Sequence, residues 1–128
     1  MAADLSNSSL QANTISRSKT LDSADYLTKL YLSVEALNKR FPDGNQPFQI
    51  ITRLCEEAGE LAQVVNHFEG SGVKRQKMRE PSREHLTKEV FDVLRAALSI
   101  ACYYGIEQEL HELIDTNIAR CREQGLLE

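Results

Sequence analysis

Between its proline- and glycine-bearing breaks, the chain repeats apolar residues at intervals of three and four, and that periodicity confines it to helices. The breaks fall at Phe41-Pro-Asp-Gly-Asn-Gln-Pro47, at Gly70-Ser-Gly72 running on to Pro81-Ser82, and at Gly105. They divide everything after Asp22 into four segments of helical length. The first, residues 23–40, aligns Leu27, Leu30, Tyr31, Val34 and Leu37 on one stripe. The second begins at Pro47, which suits a first helical turn because its missing N–H has no intrahelical partner there. It runs to Phe68 with Ile51, Leu54, Cys55, Ala58, Leu61, Ala62 and Val65 as its apolar face. Ser82 is placed to cap a third helix reaching Tyr104. Gly105 permits a tight reversal into a fourth, residues 106–123, which aligns Leu110, Leu113, Ile114 and Ile118 before Gly125.

No segment carries the alternation of a strand, so the expected architecture is all-α, an antiparallel four-helix bundle formed by a single domain over residues 21–128. Residues 1–20, rich in Ser and Asn and without periodicity, read as a flexible tail. The third segment is apolar around much of its circumference, which predicts that a second copy of the chain covers part of it, as a homodimer or a dimer of dimers.

Charge narrows the partners. A net charge of −4 and a pI near 5.4 give no footprint for nucleic acid or an anionic membrane. The longest strongly apolar run, Ala96 to Tyr104, is nine residues, against about 20 for a membrane span. Cys55, Cys102 and Cys121 are odd in number and widely spaced, which fits a reducing, cytoplasmic setting.

The chemistry lies in the acids. Glu56, Glu57 and Glu60 project from one side of the second helix, and no Lys or Arg stands between Leu54 and Gly70. Glu89 and Asp92 are three apart on the third helix and share a face. Acidic helix faces are commonly just solvated. Two such faces brought together would repel, however, and a divalent cation is the natural compensation, with oxygen donors favouring Mg²⁺ or Mn²⁺. A di-iron centre needs Glu-x-x-His twice. Here the residues three positions before His67, His85 and His111 are Val64, Ser82 and Gln108, so that reading fails.

Glu56-Glu57-Ala-Gly-Glu60 resembles the Glu-Glu-x-x-Glu motif of the MazG-like all-α nucleoside triphosphate pyrophosphohydrolases, and Glu89-Val-Phe-Asp92 resembles their Glu-x-x-Asp. The 28 intervening residues are similar in length to the spacer of the dCTP pyrophosphatase branch, and Asn117-Ile-Ala-Arg120 resembles a later Asn-x-x-Arg. The resemblance spans about Leu37 to Arg122 and implies hydrolysis of a nucleoside triphosphate to the monophosphate and pyrophosphate. It implies Glu57, Glu60, Glu89 and Asp92 as Mg²⁺ ligands, with Mn²⁺ able to substitute, and it makes Glu56 the residue that orients or deprotonates water.

Asn117 and Arg120 are the expected phosphate or sugar contacts, with Lys88 beside the acids as a further donor. Phe48 and His67 are the expected base contacts, although His67 stands where that branch tends to place Trp. The segment Val73–Glu84 has a net charge of +3 and reads as a lid over the phosphates or as a solvated loop. Two other readings stay open: a phosphoribosyl-ATP pyrophosphohydrolase-like activity, and a helical module that binds nucleotide or protein without turnover.

Overall fold

A computed structural model describes residues 25–70 and 80–128. The tail expected at residues 1–20 and most of the basic segment 73–84 lie outside the described residues. Four helices and no strand are present among the described residues: α1 (Tyr26–Arg40), α2 (Pro47–Phe68), α3 (Arg83–Tyr104) and α4 (Glu107–Glu123).

Each boundary has a local cause. The Asp25 carboxylate accepts from the Thr28 amide at 2.8 Å and starts α1. Pro47 takes the first turn of α2, and the Gln46 amide donates to Gln49 Oε1 at 3.0 Å. Arg53 reaches back to the Gly44 carbonyl at 2.9 Å, tying the α1–α2 connection to the helix it precedes. Ser82 Oγ accepts from the His85 amide at 3.2 Å and opens α3. Gly105, at φ +64°, ends α3 in the left-handed region that a side chain disfavours.

The third helix is the hub. It packs most extensively against α2, next against α1, and only slightly against α4. The buried apolar residues are Val34 of α1, Ile50 and Val64 of α2, and Ala96, Leu98 and Ala101 of α3. A groove of about 260 Å³ sets Pro47, Phe48, Ile50 and Ile51 of α2 against Ile100, Tyr103 and Tyr104 of α3, so the start of α2 lies beside the end of α3.

Only part of each apolar stripe is used in this packing. On α2, Ile51, Cys55, Ala58, Ala62 and Val65 are exposed, as are Val90, Phe91, Leu94 and Ala97 on α3. No residue of α4 is buried, and Leu113 and Ile114 of its stripe face outward. The helix is held near its start by His111 Nε2, 3.2 Å from Tyr31 Oη on α1.

Candidate metal centre

Where α2 and α3 run side by side, their acids meet. Glu57, Glu60 and Glu89 each offer a carboxylate oxygen, and these oxygens lie within 4.8 Å of one another. Helical geometry is the reason: Glu57 and Glu60 sit one turn apart on α2, so both reach the same point of the seam. The Glu89 side chain is only 4% exposed. One oxygen of Glu57 and one of Glu89, both Oε2, are buried without a hydrogen-bond partner. Buried carboxylate oxygens are costly unless something compensates them, and a cation among three converging acids does so. Burial, and then the charges of Asp92, Glu60 and Glu89, raise the pKa of Glu57 above the ordinary glutamate value.

Asp92 stands beside the three glutamates but is engaged elsewhere. Its Oδ2 takes an ion pair from Lys88 Nζ at 2.7 Å and its Oδ1 one from Arg95 at 3.3 Å. The Lys88 ammonium also lies 3.8 Å from Glu89 Oε1, and the hydrogen bond to Asp92 raises the pKa of its amine. His85 Nε2 is 3.0 Å from the same Glu89 oxygen. The acids are thus partly neutralised by basic residues of α3 itself, while the two Oε2 atoms stay uncompensated.

The remaining expected residues are scattered. Glu56 is exposed on α2 next to the seam. His67, expected to meet a base, is a buried residue of the last turn of α2. Phe48 is 85% exposed at the other end of that helix, nine positions before Glu57 and so roughly 13 Å away along the axis. Asn117 and Arg120 are exposed on α4, and among the described residues neither makes an ion pair or hydrogen bond to the acids. A cavity of about 650 Å³ is lined by Tyr31, Asn38, Cys102 and Glu107 among others and by none of Glu57, Glu60, Glu89 and Asp92.

Sequence reading missed His85 and Arg95, although both signals were present. His85 stands four positions before Glu89, and Arg95 three after Asp92, the spacings at which helical neighbours pair. No helix among the described residues is long and apolar enough to cross a membrane. Comparison with family models, curated proteins and solved structures gives no match to this chain.

Proposed function

We propose that the chain is a Mg²⁺-dependent nucleoside triphosphate pyrophosphohydrolase that adds water across the bond between the α and β phosphates, releasing monophosphate and pyrophosphate. One observation carries the reading: three glutamates from two helices converge within 4.8 Å, and two of them have buried oxygens that lack a partner. Together with the order and spacing of the acidic motifs, this supports an antiparallel helical bundle of the all-α pyrophosphohydrolase type, with a role in clearing unwanted nucleotides from the pool.

Glu57, Glu60 and Glu89 hold the cation, and Asp92 is the fourth donor at the edge of the set. A bound Mg²⁺ supplies neutralisation of the acids and polarisation of phosphate oxygens, without which a triphosphate would be repelled from this seam. Glu56, exposed beside the seam, accepts the proton of the attacking water. Lys88 supplies positive charge to the phosphates, and Asn117 and Arg120 do so from α4.

Self-association belongs to the same reading. The uncovered stripes of α2 and α3 are uncharged over several turns, and a second copy of the chain is the partner that buries them, as a homodimer or a dimer of dimers.

The test is substitution in the acidic set. Glu60→Ala and Asp92→Ala proteins that keep the wild-type helical content are expected to lose Mg²⁺-dependent turnover. Full turnover in both would contradict the assignment.

A further inference from the structure

Resting on that reading, we propose that Lys88 is a positioning residue: the resident counter-cation of Asp92, which gives way when a divalent cation binds and thereby frees Asp92 Oδ2 for the metal and its own ammonium for the phosphates. Both oxygens of Asp92 are occupied, Oδ2 by Lys88 at 2.7 Å and Oδ1 by Arg95 at 3.3 Å. Each oxygen keeps a further lone pair, but a divalent cation that recruits Asp92 to Glu57, Glu60 and Glu89 competes with these positive charges for the same carboxylate.

The two basic residues are not equivalent. The Arg95 side chain is 26% exposed and its guanidinium lies 4.9 Å from the Phe91 ring centre, which holds it in place. The Lys88 side chain is 63% exposed, with its ammonium on a flexible four-carbon stem that can swing into water. Its second contact, 3.8 Å from Glu89 Oε1, sets the ammonium against one of the three converging glutamates, where a divalent cation repels it. Lys88 is thus the group that leaves, and Arg95 the one that keeps Asp92 aimed at the seam.

The experiment uses Mn²⁺ and Mg²⁺ alone, without nucleotide. Calorimetric titration of the full chain compares wild type with Lys88→Gln, Lys88→Arg and Glu60→Gln, and NMR follows the Lys88 ammonium of the wild type during the same titration. Lys88→Gln is expected to bind Mn²⁺ roughly fivefold more tightly, because the competitor is gone, with Lys88→Arg close to wild type. The Lys88 ammonium signal is expected to shift with the midpoint of metal binding, a response that a static ion pair would not give. An unchanged or weaker affinity in Lys88→Gln, or an ammonium signal unmoved at saturating metal, overturns the proposal. Loss of binding in Glu60→Gln alongside either result leaves the metal centre standing and removes only the role of Lys88, whereas a wild type that binds neither ion removes both.

Discussion

Glu57 of α2 and Glu89 of α3 each turn an Oε2 atom into buried space where it has no hydrogen-bond partner, and their ligand oxygens lie within 4.8 Å of each other and of Glu60. Hydrophobic packing of α2 on α3 forces these acids together, so part of the folding energy of the hairpin is spent against their repulsion. Cation binding, as proposed above, would relieve that repulsion.

That repulsion predicts a stability trade. In metal-free protein at neutral pH, Glu57→Gln is expected to raise Tm by a few degrees, because burial and the neighbouring acids disfavour the ionised Glu57 carboxylate. Wild-type Tm is expected to rise on addition of millimolar Mg²⁺, and that rise is expected to be lost in the variant. Differential scanning fluorimetry with and without chelator measures both.

The uncovered stripes predict a change of assembly. Leu94 is exposed on α3 between Val90 and Ala97. Under the proposed self-association, wild type is expected to scatter as a dimer or larger at micromolar concentration and Leu94→Glu as a single chain of 14.5 kDa, with Mn²⁺ binding retained. A wild type that is already monomeric there would contradict the self-association.

The core is small, so its largest fully buried side chain has a measurable share of stability. Val34 is 1% exposed on α1, a helix that packs against α3. Val34→Ala is expected to cost roughly 1.5–3 kcal/mol in urea unfolding, with metal affinity unchanged in the folded protein.

The α1 cap carries a pH dependence of known sign. The Thr28 amide holds the Asp25 carboxyl below its usual value of 3.8. A folded-state pKa below the unfolded one contributes stability that is present above about pH 4 and disappears as pH falls through the folded value. The Tm difference between wild type and Asp25→Ala is therefore expected to be constant near neutrality and to close at lower pH. A difference that stays the same down to pH 2 would contradict the cap.

Much of this was legible in the residues, and for identifiable reasons. Pro47, Ser82 and Gly105 punctuate the chain by backbone geometry alone, so α2 and α3 begin and end where periodicity and capping place them. The meeting of Glu57 and Glu60 with Glu89 followed from their spacing, given two packed helices. Periodicity does not say which half of a broad stripe is packed. Ile51, Cys55, Ala58, Ala62 and Val65 read as the buried face of α2, yet all five are exposed in the single chain. Nor does it say that α4 leaves its stripe outside, since the Leu113 and Ile114 pattern is the same whether a helix is covered by its own chain or by another. The pairing of Asp92 with Lys88 and Arg95 is readable at four and three positions, but spacing alone does not say whether a long basic side chain turns to the acid or extends into water.

The central claim is tested most directly by measuring pyrophosphate released from a panel of canonical and modified nucleoside triphosphates and phosphoribosyl-ATP, with Mg²⁺, with Mn²⁺ and with chelator. Stoichiometric release of pyrophosphate and the monophosphate from at least one of them is expected, dependent on the metal and lost in Glu60→Ala. Folded protein that binds Mn²⁺ yet releases no pyrophosphate from any member of the panel would contradict it.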